Sequence, residues 1–287
     1  MKSLHFTDYA DEIRLFEEFR VDSVEGANKE GIVNDLLEAL HEIDSLRLNY
    51  AEKRKLLHAK INVLRPNAFG IEAVKKLDQL LQIELNEKSI TDANSLLKDS
   101  AISVGSTKMA VWQGDISTLK ADVIVNAAND QLLGCCQPLH MCIDNVIHTA
   151  AGVQLRDDCN IIMQKQGFSE PTGEAKITRA YNLPSKYVLH TVGPVVVGQV
   201  SDENRNDLAK AYVSCLEVCR EISTIKSIAF CCISTGVFGY PAEQAAFVAF
   251  NTVKHWLENH QSNLDIVVFN VFRSEDKVIY ESIVKCM

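Results

Sequence analysis

Cys135, His140 and Cys142 place three soft or borderline metal ligands within eight residues of this 287-residue chain, and Asp144 and Asn145 follow at once. Thiolates with an imidazole favour zinc over magnesium or calcium, and three protein ligands leave a fourth position open, the habit of a catalytic rather than a structural ion. The Cys-x4-His-x-Cys spacing is not that of a zinc finger, and no second ligand pair of finger type lies nearby. Cys136 is a reserve ligand in place of Cys135, because neighbouring cysteines rarely both reach one ion. The bland alternative is unliganded thiols beside a surface histidine. His140 between the two cysteines, with Asp144 just beyond, weighs for the metal. His148, one helical turn past Asp144, reads as packing or as support behind the site, and His190 as a satisfied core histidine.

The metal segment follows residues 122–129, which read as a buried strand ending in Asn126 and Asn129. Asn at a strand end is usually turn chemistry. Two carboxamides flanking two alanines also suit sugar hydroxyls, since each offers a donor and an acceptor. Asp115, after an earlier strand, either caps a short helix or accepts from an exocyclic amine such as that of adenine. Residues 234–241, Ser-Thr-Gly-Val-Phe-Gly-Tyr-Pro, join a strand to a helix. Gly236 and Gly239 allow close backbone approach, and successive N–H groups ahead of a helix suit phosphate or diphosphate. The alternative is an ordinary strand–helix connection. The loop lacks the lysine of a Walker motif, which argues against nucleoside triphosphate hydrolysis.

The elements that must position these residues alternate from about residue 107 onward. Apolar runs at 109–112, 123–125, 176–180, 187–191, 228–233 and 266–271 predict strands, and 143–164, 205–222, 242–259 and 274–286 predict helices. Such alternation predicts an α/β layered fold with a parallel or mixed sheet, whose ligands gather at the carboxyl ends of the strands. Residues 1–103 differ: they are rich in Leu, Glu, Lys and Asp, and Leu36, Leu37, Leu40, Ile43, Leu46 and Leu48 recur at helical spacing. They predict several amphipathic helices that form a layer or cap. No Gly/Ser linker near residue 103 marks a free hinge, so the two parts are expected to share an interface.

The bulk numbers set limits. Hydrophobic content of 47% and charged content of 23% are those of a globular protein. A net charge of −9 argues against broad binding to nucleic acid or to an anionic membrane. The start shows no apolar secretory segment and no run reaches the length of a membrane span. Nine cysteines without such a segment point to reduced thiols and a cytoplasmic setting. Cys159, Cys215, Cys219, Cys231, Cys232 and Cys286 lie in apolar segments and read as small core hydrophobes.

Taken in order, Gly114-Asp115-Ile116, Val125-Asn126-Ala-Ala-Asn129, residues 143–148 (Ile-Asp-Asn-Val-Ile-His) and residues 234–238 (Ser-Thr-Gly-Val-Phe) resemble the macrodomain, an ADP-ribose-binding module. The longer loop carrying Cys135, His140 and Cys142 resembles that of the zinc-containing macrodomains, which also carry a helical N-terminal extension. The resemblance implies a three-layer α/β macrodomain with a mixed central sheet over residues 104–287, preceded by an α-helical extension over 1–103. It implies a Zn2+-dependent protein-ADP-ribose hydrolase, acting at C1″ of the distal ribose of mono-ADP-ribosylated protein. On this resemblance Asp144 and Asn129 are catalytic. Asp115 and Ile116 bind adenine, Asn126 and Asn129 the distal ribose, and Asn145 joins the substrate-binding set. Ser234, Thr235, Gly236, Val237, Phe238 and Gly239 wrap the diphosphate and distal ribose. Some relatives are linked to a lipoyl-carrier substrate modified by a sirtuin-class transferase. The family often has an aromatic where Cys136 stands. The rival readings are a non-catalytic ADP-ribose reader and an O-acetyl-ADP-ribose deacetylase.

Overall fold

The computed structural model describes residues 2–42, 45, 47–98 and 102–285. Ile43 and Leu46 of the anticipated apolar stripe, and Cys286, lie outside the described residues. Two short strands, β1 (Thr91–Asp92) and β4 (Leu119–Lys120), form a separate parallel pair. The main sheet is built from β2 (Ile102–Val104), β3 (Thr107–Gln113), β5 (Val123–Ala127), β6 (Ala175–Arg179), β7 (Tyr187–Thr191), β8 (Ser227–Phe230) and β9 (Ile266–Val271). Its seven strands lie in the order β2-β3-β9-β8-β5-β7-β6. The outer pairs β2/β3 and β6/β7 are antiparallel and the inner pairings are parallel, so the sheet is mixed. Helices α4 (Ile143–Ala151), α5 (Val153–Gln166), α6 (Asp202–Glu221), α7 (Ala242–Asn259) and α8 (Ser274–Lys285) cover it, giving the three-layer α/β architecture.

The inner strands form where the sequence is continuously apolar, because helices cover both faces of the parallel part. Every residue of β9 is buried, as are Val123, Ile124, Val125 and Asn126 of β5. The predicted strands and helices are present with small shifts of their ends, with one exception. The segment 143–164 is two helices, not one. Gly152 adopts φ +101° between α4 and α5, a conformation costly for a residue with a Cβ, so the helix breaks there. The short strand β2 is not apparent from the sequence.

The N-terminal residues divide between two cores. Helices α1 (Lys29–Ala39), α2 (Tyr50–Asn62) and α3 (Ile71–Asn86) bury Val33, Leu36, Leu37, Leu57, Leu77 and Leu80 in a satellite cluster, closed by Val153 of α5. Phe6, Tyr9, Ile13 and Leu15 instead enter the main core with the sheet residues. Tyr9 Oη accepts the Ile177 N–H of edge strand β6 (2.9 Å). Ser3 bonds Glu170 Oε1 (2.9 Å), which with Lys176 forms an ion pair (2.6 Å) whose side chains are both fully buried. A buried pair loses its solvation on both sides, so it persists only with hydrogen bonds around it; Gln166 supplies one to Glu170 (2.7 Å).

Candidate active site and metal centre

β5 lies at the centre of the parallel strands, between β8 and β7, and its carboxyl end carries the polar cluster. Asn126 is fully buried and donates from Nδ2 to Asp144 Oδ1 (2.7 Å) and to His190 Nδ1 (3.2 Å), the latter from its register partner on β7. Its Oδ1 has no partner within the protein. Asn129, half-buried, donates to Gly134 O (2.9 Å) and stands 3.5 Å from Asp144 Oδ2. Asp144 sits in the first turn of α4, 5% exposed, and burial pushes its carboxyl up to about 6 against the opposing pull of Asn126 and Arg156. A carboxyl displaced in this direction serves acid–base chemistry near neutral pH.

The metal loop runs from β5 to α4. Cys135, His140 and Cys142 bring their ligand atoms within 4.8 Å of one another, and Cys135 Sγ lies 3.2 Å from His140 Nδ1. An ion with bonds of about 2.0–2.3 Å in tetrahedral geometry sets its ligand atoms roughly 3.5 Å apart, so the three atoms fit one divalent cation. Burial pushes the Cys142 thiol up to about 12, and Cys135 and Asp144 add to the effect. Cys136 is exposed and turns its Sγ toward Leu133 O (3.8 Å), away from this group.

The loop backbone is held at several points. Leu132, Cys136 and Leu139 all adopt left-handed φ, between 53° and 59°. Non-glycine residues hold that conformation only where the surroundings impose it. Asn145, 1% exposed, donates from Nδ2 to Gln137 O (3.1 Å) and His140 O (2.9 Å). Arg156 of α5, also buried, donates from Nε to Leu133 O (2.8 Å). Leu139 N–H reaches back to Asn62 Oδ1 (2.9 Å) at the end of α2. Gly134 fits beneath this network because a Cβ there would meet Arg156 Nη2 and His148 Cγ at 3.3 Å. Neither Arg156 nor Asn62 stands out in the sequence: one resembles the polar face of a helix, the other a helix end.

A second group, His148, Cys159 and His190, also lies within 4.8 Å but is entirely buried. His190 Nδ1 already accepts from Asn126, so the neutral ring donates from Nε2 to Thr178 Oγ1 (3.0 Å). His190 is thus the satisfied core histidine its strand suggests. His148 Nε2 is 3.5 Å from Asp144 Oδ1, behind the carboxylate.

Two loops meet across the end of β5. The segment after β7 and the segment after β8 are joined by Val196 N–H donating to Phe238 O (2.8 Å). Ser234, at φ +65°, is buried with its Oγ unpartnered, and Tyr240 N–H returns to Ser234 O (3.0 Å). Gly236, Val237 and Gly239 are exposed beside half-buried Thr235 and Phe238. After β3, Asp115, half-buried, caps the turn at Ile116–Thr118 by accepting Ser117 N–H (2.9 Å), while Ile116 is buried. All of these positions follow the carboxyl ends of parallel strands.

The Macro domain family model matches residues 125–249. The chain is 49% identical over 232 residues to a protein-ADP-ribose hydrolase of Treponema medium, covering 81% of this chain and 87% of that protein. It is 45% identical over 258 residues to a protein-ADP-ribose hydrolase of Staphylococcus aureus strain MRSA252, covering 89% and 94%. Among solved structures, a mutant of the Oceanobacillus iheyensis macrodomain with ADPR superposes with a TM-score of 0.59 at 35% identity, over 65% of this chain and 97% of that one. The chain belongs to the macrodomain family, among its protein-ADP-ribose hydrolases, and is a hydrolase.

Proposed function

We propose that this hydrolase removes mono-ADP-ribose from modified protein side chains by hydrolysis at C1″ of the distal ribose, with zinc on Cys135, His140 and Cys142. The observation that carries the reading is the buried Asp144 carboxylate, two residues from Cys142 and held by Asn126 and Asn129 at the end of β5. Relatives named protein-ADP-ribose hydrolase and a macrodomain solved with ADPR support it. Held by Cys135, His140 and Cys142, zinc would supply a Lewis acid.

The residues of the chain divide the remaining work. Asp115 accepts from the adenine amine beside the Ile116 backbone. The N–H groups of Gly236, Val237 and Phe238 and the Ser234 hydroxyl take the diphosphate and ribose. Thr235 and Gly239 shape the loop through their own backbone bonds to Cys232 O and Gly236 O, and Phe238 packs on the sugar. Asn126 Oδ1, unpartnered in the protein, accepts a ribose hydroxyl. Asn145 serves substrate by fixing the loop carbonyls. Asp144 accepts the proton of the attacking water, Asn129 steadies the sugar, and the water oxygen bonds to C1″ as the acceptor side chain leaves with the bonding electron pair and takes up that proton from Asp144. Positive charge that develops at C1″ is stabilised by the adjacent carboxylate. A cytoplasmic setting keeps the cysteines reduced for zinc.

The test is ADP-ribose release from a mono-ADP-ribosylated protein, with zinc-loaded and chelator-stripped enzyme compared side by side. A lipoyl-carrier protein modified by a sirtuin-class transferase belongs among the acceptors assayed. Release that disappears with the metal and returns on zinc addition supports the reading. Binding of ADP-ribose without release from any linkage supports a reader module, and faster turnover of O-acetyl-ADP-ribose supports a deacetylase.

A further inference from the structure

We propose that Asn62, in the helical extension, is a positioning residue for the metal loop: its carboxamide fixes the Leu139 peptide so that His140 faces Cys135 and Cys142. The proposal rests on the metal reading above and asks what sets the ligand geometry.

Asn62 ends α2 and is 1% exposed. Both ends of its carboxamide are used. Oδ1 accepts Leu139 N–H (2.9 Å), and Nδ2 donates to Thr149 Oγ1 of α4 (3.0 Å), a hydroxyl that also meets His58 Nε2 (3.2 Å). The anchored residue, held at φ +59°, directly precedes His140. A left-handed leucine relaxes when its restraint is lost, and the imidazole moves with it.

The same helix end is gripped a second time. The Arg156 guanidinium donates to Ile61 O (3.0 Å), Leu64 O (2.5 Å) and Asn62 O (3.1 Å), besides Leu133 O at the start of the metal loop. A cation suits the carboxyl end of a helix, where the last carbonyls lack partners. Three of the four acceptors of Arg156 therefore belong to the extension. Through Arg156 and Asn62 the end of α2 holds the loop at two points, at Leu133 ahead of Cys135 and at Leu139 ahead of His140. The extension is accordingly part of the metal site rather than a cover laid over it.

The test is zinc affinity by competition with a chromophoric chelator, on the full chain. Asn62→Leu removes the acceptor and is expected to weaken zinc about 10–100-fold, the usual cost of losing a group that orients a ligand. Asn62→Asp keeps an acceptor beside the Arg156 cation and is expected to restore affinity to within a few fold. Leu57→Ala lowers the melting temperature through the same satellite core without touching the loop, and is expected to leave zinc affinity unchanged. If Asn62→Leu does not fold, Asn62→Ala carries the test, with a loss of about tenfold. Parent and Asn62 variants that bind zinc equally overturn this proposal alone, as does a loss in Leu57→Ala equal to that in Asn62→Leu. A parent that binds no zinc overturns the metal reading and this proposal with it.

Discussion

Two clusters in this molecule gather cysteine and histidine equally closely, two cysteines with one histidine in one and the reverse in the other, and differ in their surroundings. Cys135, His140 and Cys142 are half-buried on a loop whose backbone is held in left-handed turns. His148, Cys159 and His190 are sealed in the core, where His190 already has Asn126 and Thr178 as partners. Proximity of ligand atoms therefore does not by itself define a metal centre. The atoms must also be able to lose their protons, and no other bond may already occupy them. In the inner cluster both ring nitrogens of His190 are already bonded, and burial pushes the Cys159 thiol up.

Removing one sulfur from each cluster is the most direct challenge to this contrast. Cys142→Ala is expected to abolish stoichiometric zinc and lower ADP-ribose release by at least about 100-fold, whereas Cys159→Ala retains both. Metal content by atomic spectroscopy on the two purified variants decides it, and zinc retained in Cys142→Ala would overturn the ligand assignment. Next, Asp144→Asn is expected to keep zinc but to slow hydrolysis about 10²–10⁴-fold, the range for loss of a general base. Full activity with intact folding would remove Asp144 from the mechanism.

Arg156 stands between the clusters, with Gly134 packed against both its guanidinium and His148. Arg156→Met leaves the α2 carbonyls without their donor, and chemical denaturation is expected to show a loss of about 3–5 kcal/mol. The smallest effect concerns protons. Burial lowers His190 to about 3, so between that value and its unfolded pKa near 6.5 the unfolded chain binds the extra proton. Stability from this residue is complete above the unfolded value and is lost as pH falls. Acidification from pH 7 to 5 is expected to cost about 2 kcal/mol. Asp78 acts in the opposite sense. Burial raises it to about 6 in the fold, so the native state takes up that proton first and gains stability as pH falls through this range. Denaturation of His190→Gln at both pH values separates the two, since its acid loss should shrink or reverse.

The parts of the fold legible in the sequence are those in which burial is continuous. β7 and β9 follow their apolar runs end to end, because a strand covered on both faces leaves little place for polar residues. The break at Gly152 is hidden because apolar residues recur at helical spacing on both sides of it. Phe6, Tyr9, Ala10 and Ile13 fall at helical spacing, yet they enter the main core from a short 3-10 helix and the turns after it rather than from an α-helix. Lys176 opens the predicted strand 176–180, but its full burial against Glu170 follows only from the three-dimensional partner. At the site, the Cys-His-Cys spacing is legible because its ligand types are rare and close together. Asn62 and Arg156 are not, since their bonds to each other and from Asn62 to the loop cross 94 and 77 residues of chain, separations that no local window spans.

Distance along the chain also orders assembly in time. Such closures come late in folding, because the ends of a long loop meet only after nearer contacts have formed. During refolding from denaturant, the far-ultraviolet signal of helices and sheet should recover before zinc is captured. Acquisition of the metal would then report the last step of assembly, the moment when α2, α5 and the loop between β5 and α4 are joined.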